Sequence, residues 1–202
     1  MSEKEKMLAG DLYWAGADEL KEMRHQAREL IRQYNQSAQD DEMGRQSILA
    51  QLFGAVGDNA VIEVPFHCTY GQHISVGAHF RAGADCLMVD ACPIVIGHDV
   101  VLGPRVILTT DACPVDAAVR RRDLAIGDEI RIGSNVWIGA NVVINPGVTI
   151  GAGAVIQPGS VVVNNIAERV IAGGNPCKAI RKIDASDEEL WTERACEWEM
   201  GG

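Results

Sequence analysis

The stretch Ile132-Gly133-Ser134-Asn135-Val136-Trp137-Ile138-Gly139-Ala140-Asn141-Val142-Val143-Ile144-Asn145-Pro146-Gly147-Val148-Thr149-Ile150-Gly151-Ala152-Gly153-Ala154-Val155-Ile156 decides how the chain is read. An aliphatic residue recurs every six positions, at Ile132, Ile138, Ile144, Ile150 and Ile156, and the series runs on to Val162. Glycine follows directly at Gly133, Gly139 and Gly151, and Val136, Val142, Val148, Ala154 and Ser160 fall four residues after the aliphatics. A helix would space its apolar residues by three, four and seven, and a half-buried strand would alternate, so neither yields a sustained period of six. A solenoid does. If each six-residue unit is one flat side of a triangular coil, three units close a turn of about 18 residues. Each aliphatic then points to the axis, and the small residue after it lets the chain turn the corner.

Working outward, less regular units occur at Val76-Gly77, Ala82-Gly83, Met88, Ile96-Gly97 and Leu102-Gly103, with a two-residue slip between Met88 and Ile96. The pattern stops at Leu108 and resumes at Ile130. The intervening residues, about 109–129, contain Asp111, Cys113, Pro114, Asp116 and the run Arg120, Arg121, Arg122. A long excursion from a compact fold is usually functional. It is expected to protrude and cover a cleft, where the three arginines would be either a solvated loop or the contact for an anion.

Residues 1–56 read as a helical module, with Leu20, Met23, Ala27, Leu30 and Ile31 forming one apolar stripe behind an Asp18 N-cap. A second helix holds Ile48, Leu49, Leu52 and Phe53. The coil occupies 57–183. Residues 184–202 are expected to open on a Ser186/Glu189 capping box and to lay Leu190, Trp191, Ala195 and Trp198 against the coil.

With 202 residues, 47% of them hydrophobic, the chain can bury a core, and no apolar run approaches the roughly 18 residues of a membrane span. No signal-peptide pattern opens it, so a cytoplasmic address is expected. The six cysteines form no CxxC pair and read as free thiols, and a net charge of −10 disfavours nucleic acid or an anionic membrane.

The repeat, together with Ala172-Gly173-Gly174-Asn175-Pro176-Cys177-Lys178-Ala179-Ile180-Arg181, resembles the hexapeptide-repeat acyltransferases. Lys6-Met7-Leu8-Ala9-Gly10-Asp11-Leu12-Tyr13 and Pro65-Phe66-His67-Cys68-Thr69-Tyr70-Gly71 narrow the resemblance to the maltose, galactoside and nodulation-factor O-acetyltransferases. It implies an all-β-dominated, left-handed parallel β-helix that forms a homotrimer. It also implies acetyl-CoA in the groove between neighbouring coils, a sugar or other small hydroxyl acceptor, and no metal. Trp137, Gly139, Ala140 and Pro158 match the pantetheine groove, and Lys178 and Arg181 match the residues that meet the nucleotide phosphates. Tyr70, Gly83, Asp85 and Asp90 fall in the acceptor stretch, with Gly83 where an asparagine is usual and Ala15 and Ala91 where the galactoside enzymes carry aspartates.

Acetyl transfer to a hydroxyl needs a base and donors for the tetrahedral oxyanion. In the family the base is a histidine directly before a proline, and Cys113-Pro114 takes that place here. Cys113 is open to three readings: a loop cysteine without chemistry, a nucleophile that becomes acetylated, or a weak base. Two further functions compete. One is a catalytically impaired CoA-binding relative or a trimeric scaffold. The other is a γ-carbonic-anhydrase-like zinc enzyme, suggested by His67, His73 and His79 and disfavoured because residues six apart fall on different sides of the coil.

Overall fold

In the computed structural model, which describes residues 1–201, the chain is a parallel β-helix closed at one end by helices. Gly202, the last residue of the C-terminal segment, lies outside the described residues. Short strands stack into three sides. The first side holds Ala55–Val56, Ile74–Val76, Ile94–Ile96, Ile130–Ile132 and Thr149–Ile150. The second holds Val61–Ile62, Arg81–Ala82, Val101–Leu102, Trp137–Ile138, Val155–Ile156, Val170–Gly173 and the antiparallel Lys178–Lys182. The third holds Phe66–Cys68, Cys86–Val89, Ile107–Thr109, Val143–Ile144 and Val161–Val162.

The period-six aliphatics fill the axis: Ile132, Ile138, Ile144, Ile150, Ile156 and Val162 are all buried. The turn is longer than 18 residues at first. Val61 pairs with Arg81 and Arg81 with Val101, which is 20 residues per turn; after the protruding segment Arg131 to Thr149, Trp137 to Val155 and Val143 to Val161 each take 18. The two additional residues sit at one corner, between the third and first sides, and the protruding segment leaves the coil at that same corner one turn later. The slip before Ile96 and the excursion after Leu108 are therefore one feature. This corner is called the loop edge below.

Glycine at the other corners is required by stacking. A Cβ on Gly103 would lie 2.6 Å from the Ala140 amide nitrogen, and one on Gly139 would lie 2.5 Å from the Pro158 nitrogen. Such approaches are tolerated only where no side chain intervenes.

Three N-terminal helices close the first turn: α1 (Glu3–Leu8), α2 (Asp18–Gln36) and α3 (Glu42–Leu52). The stripe on α2 is buried through Leu20, Ala27 and Ile31, with Tyr34 added. Tyr34 and Arg45 both donate to the Ile62 carbonyl, and Asn35 exchanges two hydrogen bonds with the Phe66 backbone. They satisfy first-turn groups that no further coil pairs, which blunts an exposed sheet edge. Ala17, without a side-chain cap bond, is the N-cap of α2; Asp18 is its first helical residue and pairs with Lys21.

The protruding segment is a small hairpin. Asp111–Ala112 pairs antiparallel with Leu124–Gly127, which also pairs with Tyr13–Trp14, and α4 (Ala117–Arg120) caps its tip. The N-terminal module thus supplies the strand that holds the loop. At its far end the chain forms α5 (Ala185–Met200), whose capping box is Asp184 with Asp187, two residues before the expected pair. Arg181 grips Asp187 through two bonds of 2.6 and 2.7 Å, which fixes that start. α5 does not lay its apolar residues on the coil: none of them is buried, and Trp191 and Trp198 are 62% and 80% exposed. Two ion pairs, Arg169–Glu188 and Arg181–Asp187, tie it down instead.

Candidate functional site

The residues singled out from the sequence fall on two different edges of the prism. Gly83, Asp85, Gly139, Ala140 and Pro158 lie at the corners between the second and third sides. Trp137 stands beside them on the second side, 44% exposed, in register with Val155, Ile171 and Arg181. Lys178 closes the row, paired with Gly173, and makes no ion pair among the described residues. This Gly139 edge is an open strip of backbone and apolar wall with one uncommitted cation at its end. A thioester arm followed by phosphates fits such a strip. Arg181 is less available than expected, because its guanidinium is held by Asp187.

Gly83 is a tight stacking corner, where a Cβ would meet the Pro104 nitrogen at 2.7 Å. Asp85 is exposed at φ +62, in the left-handed region that such corners use.

The loop edge holds the other set. Tyr70 is buried, and its hydroxyl accepts from Arg24 at 2.8 Å. Asp90 is fully buried, and its Oδ1 accepts from the Thr69 and Tyr70 amides at 2.9 and 2.8 Å. Its Oδ2 has no hydrogen-bond partner within the chain, and burial pushes the carboxyl up to about 6. The His73 ring contacts the Asp90 carbonyl at 2.7 Å through Nδ1. Thr110, also fully buried, accepts from the Cys92 amide at 2.9 Å and so ties the root of the loop to the turn beneath. Burial raises the Cys92 thiol to about 11, which makes it inert as a nucleophile. Cys113 is exposed on the hairpin, two residues past Asp111, whose carboxylate accepts from the Thr109 hydroxyl at 2.7 Å.

Sequence reasoning missed Arg24 and Thr110. Arg24 was findable, because it follows Leu20 by four residues and precedes Ala27 by three, on the buried face of α2. Arg120 serves the loop itself, donating to the Pro114 and Val115 carbonyls, while Arg121 and Arg122 are exposed. His67 stands on the third side, His73 at the loop edge and His79 at a corner before the second side, so the three diverge.

Within one chain the whole third side separates these sets. From Asp85 to Asp90 the extended backbone spans roughly 17 Å.

Known proteins match both the N-terminal module and the regular coil of this architecture. Residues 6–57 match the maltose acetyltransferase hexapeptide capping motif, and residues 129–164 match the six-repeat bacterial transferase hexapeptide. The galactoside O-acetyltransferase of Escherichia coli (strain K12) is 37% identical over 187 residues, covering 93% of this chain and 92% of its own. The chain belongs to the hexapeptide-repeat acetyltransferases.

Solved structures place the acetyltransferase more closely. A maltose O-acetyltransferase from Clostridium difficile 630 superposes with a TM-score of 0.90 at 43% identity, covering 91% of this chain and 98% of its own. A galactoside acetyltransferase in complex with coenzyme A gives 0.90 at 37% identity, covering 93% and 94%. A hexapeptide-repeat acetyltransferase from Vibrio cholerae O1 biovar eltor, complexed with acetyl-CoA, gives 0.85 at 38%, covering 91% and 100%.

Proposed function

We propose that this acetyltransferase moves an acetyl group from acetyl-CoA to a hydroxyl of a sugar or similar small acceptor, in a homotrimer. In this reading the Gly139 edge of one chain faces the loop edge of the next. The observation that carries it is the separation of the two residue sets: neither edge alone has both a thioester groove and groups that could handle a hydroxyl proton. The second side supports the arrangement, because Val101 and Trp137, neighbours in register, are exposed apolar residues beside the groove. A threefold assembly covers the same patch on every chain.

Pantetheine would lie against Gly139 and Ala140 between Trp137 and Pro158, with Lys178 on the phosphates. The acceptor oxygen attacks the thioester carbonyl, the C–S bond breaks, and the hydroxyl proton passes to the loop of the neighbouring chain. There Cys113 stands in the place of a base. A thiol is a weak acceptor and takes up a proton poorly. A second reading, a CoA-binding relative with impaired transfer, is favoured by one fact: the five histidines are His25, His67, His73, His79 and His98, so none lies in the loop.

Thiol release from acetyl-CoA, followed with glucosides, galactosides and oligosaccharides, separates the two. The transfer reading expects acceptor-dependent release, with the Michaelis constant for acetyl-CoA rising about 10-fold in Lys178→Ala as a charge-assisted contact is lost. Release that no acceptor raises above hydrolysis assigns the chain to the impaired relatives.

A further inference from the structure

The guanidinium of Arg24 is half-buried at the loop edge without a carboxylate partner. It donates to the Tyr70 hydroxyl at 2.8 Å and to the Ala15 carbonyl at 3.0 Å, both neutral acceptors. Of its five N–H donors, two are used this way, and Arg24 forms no ion pair among the described residues. Around it lie a small apolar cluster, with Tyr13, Ala17, Tyr70 and Ala91 buried and Ala15 and Met23 packed against them. Neither acid of this edge bonds to Arg24. Asp90 holds the Thr69 and Tyr70 amides, and Asp111 holds the Thr109 hydroxyl.

A cation drawn partly out of water beside apolar groups costs free energy unless a counter-charge reaches it. On the same helix Lys21 is met by Asp18 and Arg32 by Glu29, while Arg28 is exposed to solvent and needs no partner. Arg24 differs in facing inward, toward the ring of Tyr70, whose centroid is 5.7 Å from it. A planar guanidinium with three of its five donors unused is suited to an oxyanion.

We infer that the acceptor of this enzyme carries an anionic group, a carboxylate or a phosphate on a sugar-sized molecule, and that Arg24 receives it. This rests on the transferase reading for the word acceptor, whereas the anion site rests on Arg24 itself. An acceptor so held has its hydroxyl at the loop edge, near the hairpin that bears Cys113. A neutral glycoside would leave the guanidinium without its counter-charge.

Equilibrium binding to the full-length protein with coenzyme A present tests it, by titration calorimetry with glucuronate, glucose 6-phosphate and methyl glucoside. One anionic sugar is expected to bind roughly 10- to 100-fold more tightly than the glycoside, as charge-assisted bonds do, with the advantage shrinking as salt is raised. Which of the two wins tells carboxylate from phosphate. Arg24→Gln should bring the ratio near one and Arg24→Lys should keep part of it, which guards against a variant that only misfolds. Equal binding of glycoside and both acids, or a preference that survives Arg24→Gln, overturns the proposal. Anionic binding without thiol release from any acceptor would instead sink the transferase reading and leave the anion site standing.

Discussion

Cys113→His is expected to raise acceptor-dependent acetyl transfer by about 10²- to 10⁴-fold at neutral pH, the span that a well-placed general base contributes. An imidazole nitrogen accepts a hydroxyl proton readily at neutral pH, whereas a thiol is a weak acceptor. The exchange is structurally cheap. Cys113 is exposed on the hairpin, so the larger ring meets no core, and Pro114 keeps the backbone before it extended. Acceptor-dependent thiol release at neutral pH shows the change, and Cys113→Ala, which adds no base, should stay at or below the parent. Turnover lost in Cys113→His, together with an acetyl adduct on the intact parent that is absent in Cys113→Ser, would mean that the thiol is the nucleophile and the base account is wrong.

Asp90→Asn should make stability less dependent on pH, by on the order of 2–3 kcal/mol between pH 4 and pH 7. The buried Asp90 carboxyl sits at about 6, above its ordinary value of 3.8, because burial disfavours its charged form. With the folded value above the unfolded one, its stabilising contribution is complete below about pH 4, where both states are protonated. It is lost as pH rises through about 6, because the folded state must then ionise a carboxyl that the unfolded state ionised already. An asparagine keeps an acceptor for the Thr69 and Tyr70 amides, now bonded at 2.9 and 2.8 Å, and carries no proton to lose. Urea unfolding at a series of pH values checks it: the parent should weaken across this window relative to the variant, and parallel curves would show that Asp90 does not ionise there.

The coil was legible because its signal is local. Each aliphatic of the series Ile132 to Val162 reports its own burial every six residues, and all of them reach the axis. The lengths of the early turns were half-legible: the slip between Met88 and Ile96 is visible, but stacking alone shows that Ala82 sits above Ile62 at a distance of 20 residues. The loop edge needs long-range pairing, Tyr13 with Ala125, which no spacing in the chain encodes. Helix ends were misjudged where an ion pair decided them, as when Arg181 drew Asp187 into the first turn of α5. Spacing likewise does not show that Gly83 packs on Pro104 from the next turn. The division of the site over two edges follows from the period once it is applied to function, because Gly83 and Asp90 stand a side apart.

The claim that one site is built from two chains is tested most directly by mixing subunits in the C113H background. One chain carries Cys113→Ala and keeps its Gly139 edge; the other is C113H with Trp137→Ala and Lys178→Glu and keeps its loop edge. Each is expected to be nearly inactive alone. In equal random mixtures about one quarter of the interfaces pair an intact groove with an intact loop, so about a quarter of the C113H activity should return. Mixed oligomers that form, as native mass measurement can show, yet stay as inactive as their parents would contradict the shared site.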